Sequence, residues 1–476
     1  MADLSTYHDM IAAKRIAFQP RGFDDVDAGR LPTWLFDHQR HGVEFSLRTG
    51  ASALFYDTGL GKTGMALAWG DEVVRRTNKP VLMLAPLAVA SQHVAEAEKF
   101  GIDARLSRFG IPPDTPRIVV TNYDRLERFD PADYAGVILD ESSILKSFSG
   151  ATTRKLIEAF SKTPYRLACS ATPAPNDHTE LGQHSEFLGA LDRSQMLVRW
   201  FLHDSADTGT WRMKGHAVTD FWNWVASWAR AVSKPSDIGF SDVGFDMPGL
   251  IVHRHIVAAD RSIGAGEEKK GKNKGQPLLF RMPDTSATSI HAEKRLTSHD
   301  RAVMVAQLIA AEPDEPWLVW VDTDYDAAAV KDACAGMVEV SGKMTIDDKE
   351  ERLGAFSRGE IKRLLTKPSI AGYGLNWQHC ARMAFCGINF SYESYYQAVR
   401  RCWRFRQTRD VHAHIVCADT EAAIWDVVSR KAGDHETMKA EMIAAMRRAA
   451  MKAHALATYS PAIEARLPAW MTDARA

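Results

Sequence analysis

The chain has 476 residues, too many for one ordinary hydrophobic core, so two or three domains are expected. It is 45% hydrophobic and 25% charged, a globular composition, and its formal net charge of −1 means that any nucleic-acid surface must come from local clustering of Lys and Arg. Six cysteines without C-x-x-C or paired Cys/His spacing indicate neither a zinc finger nor a disulfide framework. A reduced, cytoplasmic setting without a membrane partner is expected, because no apolar run nears the ~18–20 residues that span a bilayer and MADLSTYHDM is no signal peptide.

In chain order, residues 1–30 read as a short helix from Tyr7 to Phe18 followed by an acidic loop. Gln39 then sits among aromatics in LPTWLFDHQ, where its planar amide suits either an adenine edge or a plain surface. The stretch Ala53-Leu54-Phe55-Tyr56-Asp57-Thr58-Gly59-Leu60-Gly61-Lys62-Thr63 reads as a strand, a glycine-containing loop and a helix start. Such a loop offers backbone N–H groups and a positive helix N-terminus to an anion. Thr58, Gly59, Leu60 and Gly61 would cradle phosphate, Lys62 would reach the β- and γ-phosphates, and Thr63 would hold Mg²⁺. A nucleotide pocket predicts a metal-binding carboxylate downstream. Apolar runs ending at Pro86 and Asn122 come first, and then Gly136-Val137-Ile138-Leu139 runs into Asp140-Glu141. Asp140 would hold Mg²⁺ and Glu141 would polarise the attacking water. Ser170 and Thr172, following the run Arg166–Cys169, could relay a change at the γ-phosphate.

Residues 185–255 are aromatic-rich, and FWNWVASWARAV is compatible with a helix packed on the first domain; only a family resemblance would make Arg230 and Lys234 DNA contacts. The Gly/Lys-rich stretch 264–275 cannot bury a core. A second α/β pattern starts near Arg295, with strands at Trp317–Asp322 and Arg363–Thr366 and a helix at Asp347–Phe356. Glycines in the run 369–376, Gly374 among them, allow close backbone approach, and Asn376 ends it. In Gln397–Gln407, Arg401 and Arg404 are three apart, so both guanidiniums would point from one helix face. His412 and His414 alternate along a strand, and with no third ligand in sight a metal site is not expected there. Beyond Asp419 the chain reads as helical.

Taken in order, FDHQ, DTGLGKT, LMLAPLAVASQ, VVTNYDRL, DESSILKSFSGATTRKL, SATPAPNDHTEL, SIAGYGLN and QAVRRCWRFRQ resemble the motifs of superfamily 2 helicases, and among these the SNF2-like ATP-dependent DNA translocases of bacteria and phages. Tyr56 at the usual first-glycine position fits the helicase form of the phosphate loop, whereas DESS departs from the usual DEAH or DEGH. The resemblance implies an α/β protein of two RecA-like P-loop NTPase lobes with a helical insertion and a C-terminal helical segment. The expected division is 1–30 extension, 31–190 lobe 1, 191–294 insertion and linker, 295–420 lobe 2 and 421–476 C-terminal helices. It further implies ATP and Mg²⁺ as cofactors, hydrolysis between the lobes, and movement on nucleic acid, double-stranded DNA first. Asp140, Glu141, Arg401 and Arg404 would be catalytic, the two arginines as fingers on the γ-phosphate. Ser170, Thr172 and Gln397 would couple the lobes, Gln39 and Gly374 would touch nucleotide, and Pro86, Asn122, Asn376 and Arg400 would touch DNA. A strand-separating helicase on DNA or RNA, and an ATP-gated nucleic-acid-binding recruitment module, are the alternatives.

Overall fold

The computed structural model describes residues 18–86, 89–110, 112–146, 150–174, 177–203, 211–259, 294–371, 375–389 and 391–452. The expected Tyr7–Phe18 helix, the Gly/Lys-rich stretch 264–275 and Gly374 lie outside them, save Phe18 itself. The described residues fall into two compact units. One runs to Asp242 and resumes at His435, and the other runs from Val243 to Asp434.

The first unit is built on β1 (Ala51–Tyr56), β2 (Val81–Ala85), β3 (Ala104–Leu106), β4 (Ile118–Asn122), β5 (Gly136–Asp140) and β6 (Tyr165–Cys169). A small antiparallel pair, β7 (Phe201–His203) and β8 (Trp211–Met213), stands apart, and β9 (Ala229–Val232) closes the main sheet. The order is β3-β4-β2-β5-β6-β1-β9, parallel throughout. Every residue of β1, β2, β4 and β5 is buried, as a parallel sheet covered by helices on both faces requires.

The aromatic stretch divides where the sequence reading made it one helix. Val218–Trp228 is helical, burying Phe221, Trp222, Trp224 and Trp228, and Ala229–Val232 then joins β1 as a strand. Small and β-branched residues suit that half-buried sheet position, and the segment 191–294 is thereby shared between the two units. Arg230 turns inward: its guanidinium lies 3.5 Å over the Phe45 ring and donates to Ala226 O at 2.6 Å, which takes it away from a DNA-binding surface. The helix Ala422–Lys452 sends Met438, Met442 and Met446 into this unit's core. Its polar residues are anchored too, Glu441 to Trp222 Nε1 at 2.7 Å and Arg447 to Asp237 at 3.2 Å.

The second unit contains β10 (Leu250–Val257), β11 (Trp317–Val321), β12 (Val338–Val340), β13 (Arg363–Thr366), β14 (Arg382–Cys386) and β15 (Val411–Ala418). They form a second all-parallel sheet in the order β10-β15-β14-β11-β13-β12. At its centre Arg301, fully buried on the helix Ser298–Ala311, donates to Asp326 at 2.5 Å and to Glu421 at 2.8 Å, with Thr297 and Lys294 O as further acceptors. Burial opposes the charge on Arg301, but the two carboxylates outweigh it and raise its pKa. Three segments distant in sequence are thus held by one guanidinium.

The Arg301 centre predicts a large asymmetry between buried and exposed ion pairs. Arg301→Ala leaves two buried acids uncompensated and should cost about 3–5 kcal/mol. Glu360→Ala, which breaks the exposed Arg358 pair, should cost less than about 1 kcal/mol. Urea unfolding followed by circular dichroism measures both, and equal losses would remove the centre's structural role.

Candidate active site

In an open parallel sheet, chemistry collects at the carboxyl ends of the strands. The register here brings three segments to that edge: Leu54 of β1 pairs with Cys169 of β6, and Cys169 pairs with Asp140 of β5. The loop Asp57–Gly61, the acids Asp140 and Glu141, and Ser170 therefore leave the same edge side by side. Pro86 and Asn122 leave it from β2 and β4, whose ends Ala85 and Asn122 are paired.

The loop turns into the helix Lys62–Thr77 through two glycines with left-handed φ, Gly59 at 95° and Gly61 at 78°. A Cβ on Gly61 would lie 2.2 Å from Gln39 Nε2, so glycine is required on both conformational and steric grounds. Gln39 in turn donates to Leu60 O at 3.0 Å, and its Oε1 accepts from Phe36 N at 3.1 Å. Its amide supports the loop from beneath. Lys62 opens the helix and donates to Tyr56 O at 2.6 Å and, more weakly, to Asp57 O at 3.3 Å. Burial depresses its pKa, while Glu141, Asp57 and Asp140 work in the opposite direction. Thr63 follows as the second helical residue.

Asp140 is nearly buried and is held from two sides. His93 Nε2 lies 2.7 Å from its Oδ2, and Tyr123 Oη donates to its backbone oxygen at 2.6 Å. Burial alone would lower the His93 pKa, but the charge and hydrogen bond of Asp140 prevail and raise it. Glu141 adopts φ 54°, a left-handed conformation that costs a non-glycine residue about 1–3 kcal/mol and is characteristic of functional positions. Ser142 Oγ meets His184 Nε2 at 3.0 Å, and burial lowers the His184 pKa to about 4. Ser170 Oγ accepts from Thr172 N at 3.0 Å, closing the turn after β6.

Two partners of this edge carry no signal in the sequence. His93, on the helix Ala90–Lys99, lies 47 residues from Asp140, and no motif spacing marks it. Lys439 reaches the loop from the C-terminal helix, its Nζ 2.9 and 3.1 Å from the two Asp57 oxygens. Both side chains of that pair are largely buried.

In the second unit the helix Tyr392–Val399 ends before the arginines expected on its face. Residues 400–406 form tight turns, with Arg406 at φ 71°. The two guanidiniums still converge, because Arg401 donates to Leu375 O at 3.0 Å and Arg404 to the same oxygen at 3.3 Å. Arg401 also donates to Gln397 at its O (3.0 Å) and its side-chain Oε1 (3.2 Å), so the guanidinium folds back over the last turn of the helix. Arg400 is 2% exposed, 5.0 Å over Trp403 and 5.6 Å over Tyr396, a packed position that does not suit a DNA contact. Asn376 is exposed.

Residues 300–406 match the family described as helicase conserved C-terminal domain. An uncharacterized ATP-dependent helicase of Bacillus subtilis, YqhH, is 24% identical over 408 residues, covering 77% of this chain and 72% of that protein. The Sulfolobus solfataricus SWI2/SNF2 ATPase core, solved in complex with double-stranded DNA, is 15% identical, with a TM-score of 0.42 over 91% of this chain and 98% of that one. At so loose a superposition the fold rests on the strand orders above. The matched C-terminal domain, the similar ATP-dependent helicase and the two parallel α/β sheets together support an ATP-hydrolysing enzyme similar to the superfamily 2 helicases.

Proposed function

We propose that the chain is an SNF2-like translocase that couples ATP hydrolysis to movement along double-stranded DNA. The observation that supports this most is the shared sheet edge, where the Lys62 loop and the Asp140-Glu141 pair flank β6. The Lys-Ser extension after Asp140-Glu141 supports the SNF2-like reading.

The residues fit a nucleotide with Mg²⁺. Loop N–H groups and the start of the helix Lys62–Thr77 suit phosphate, and Thr63 and Asp140 offer the hard oxygen donors that Mg²⁺ takes. The metal, when bound, neutralises charge on the β- and γ-phosphates. Lys62 exchanges its carbonyl partners for phosphate oxygens, which restores a counter-charge to a desolvated ammonium. Asp140 is oriented for its ligand by His93. Glu141 orients and polarises the attacking water. By the sequence resemblance, Arg401 and Arg404 would be the fingers that supply positive charge in the transition state. DNA is held by its phosphates at groups near Pro86, Asn122 and Asn376, so binding is independent of sequence and sensitive to salt.

Lys62→Ala should abolish turnover with an unchanged circular dichroism spectrum, and Glu141→Gln should bind ATP without hydrolysing it. Full DNA-stimulated turnover in Glu141→Gln would remove the catalytic assignment. Arg404→Ala should slow turnover by roughly 10³-fold or more if it acts as a finger. Double-stranded DNA should stimulate hydrolysis above the level reached with RNA, and the chain should displace a triplex strand without unwinding a duplex. Duplex unwinding without triplex displacement would favour the strand-separating alternative.

A further inference from the structure

The strand carrying His412 and His414 showed no third ligand in sequence, and the fold supplies one. β10 and β15 pair in parallel with His253 opposite His414 and Ile251 opposite His412. Alternate residues of a strand share a face, so His253, His255, His412 and His414 all stand on one side of the sheet. Ligand nitrogens from His253, His412 and His414 lie within 4.8 Å of one another. The rings are nearly parallel, with His253 and His412 inclined by 6° and His253 and His414 by 16°.

We propose that His253, His412 and His414 bind one zinc-like divalent transition ion, with His255 orienting His414. Two observations besides the clustering carry this. His414 is 92% buried, being 8% exposed, and its Nε2 has no hydrogen-bond partner, which leaves a desolvated polar nitrogen on a ring of the cluster. Its other nitrogen, Nδ1, is 3.0 Å from His255 Nε2, the outer-shell arrangement that fixes the ring of a metal-ligating histidine. His253 Nε2 and His412 Nδ1 are 2.9 Å apart. Zinc–nitrogen bonds of about 2.0–2.1 Å in a tetrahedral shell separate ligand nitrogens by roughly 3.3 Å, so binding parts this pair by only a few tenths of an ångström. His253 and His412 are partly exposed, which gives the ion an entry path and water a place in its shell.

The surrounding charge permits a cation. Arg382, the basic group acting on His412 and His414, is paired with Glu312 at 2.9 Å, and Glu312 and Asp410 both act on His412 with opposite sign. Imidazole donors without carboxylate select zinc, nickel, cobalt or copper over Mg²⁺ and Ca²⁺. The site lies entirely within the second unit, among residues given no part in ATP hydrolysis above. An ion there would clamp the edge strand β10 onto β15.

The test uses the untagged full-length chain, stripped with a chelator and without nucleotide. Co²⁺ titration followed by visible absorption, then displacement by Zn²⁺, should give one ion per chain. His253→Asn and His412→Asn, both at partly exposed positions, should weaken Zn²⁺ at least tenfold, and Zn²⁺ should raise the Tm of the parent chain but of neither variant. A readout that needs no variant is labelling with diethyl pyrocarbonate, in which Zn²⁺ should protect His253 and His412. Absence of stoichiometric binding, unchanged affinity in both variants, or equal labelling with and without Zn²⁺ would each overturn the site.

Discussion

Parallel pairing of β6 with both β1 and β5 is the constraint on which the candidate site depends. It fixes the distance between a loop and a pair of acids about eighty residues apart in sequence, and it does so with main-chain hydrogen bonds, not side-chain contacts. The loop then needs only local chemistry to take its form: left-handed Gly59 and Gly61, the Gln39 amide beneath Leu60, and Lys62 turned back onto the end of β1.

The electrostatics of that edge balance a buried ammonium against several carboxylates. Lys62 is disfavoured by burial and favoured by Glu141, Asp57 and Asp140. Two of these acids have a second basic partner, Asp140 in His93 and Asp57 in Lys439. Removal of one charge from such a set leaves the others buried and uncompensated, which is the costly case for ions out of water. The strained φ of Glu141 adds to this stored cost and persists because the neighbouring strands determine the backbone path.

Much of this was legible in the sequence because it is local. Apolar runs ending in Asp57, Pro86, Asn122 and Asp140 mark strand ends, and the Gly-Lys-Thr turn marks a helix start, each within a dozen residues. What was not legible depends on long-range packing. Ala229–Val232 reads as the tail of an aromatic helix because nothing nearby states that β1 has a free edge. The arginine pair is expected on a helix face, but the helix ends at Val399 and the two guanidiniums converge from turns on the carbonyl of Leu375, a residue 26 positions before Arg401. His412 and His414 lacked a third ligand only along the strand; across it, 159 residues away, stand His253 and His255. Gln39 is expected to touch nucleotide, and in the structure its amide bonds the backbone of Phe36 and Leu60, partners that no local pattern announces.

The pair Lys439–Asp57 joins residues 382 positions apart. A ribosome therefore delivers the Asp57–Gly61 loop early and Lys439 only after the entire second unit has been made. Until then Asp57 has no Lys439, and the methionines that complete the first core are still absent. The first unit is thus the first to begin leaving the ribosome and the last to have all its residues, and a nascent chain stopped before residue 439 holds the loop's sequence without the ion pair of the finished protein.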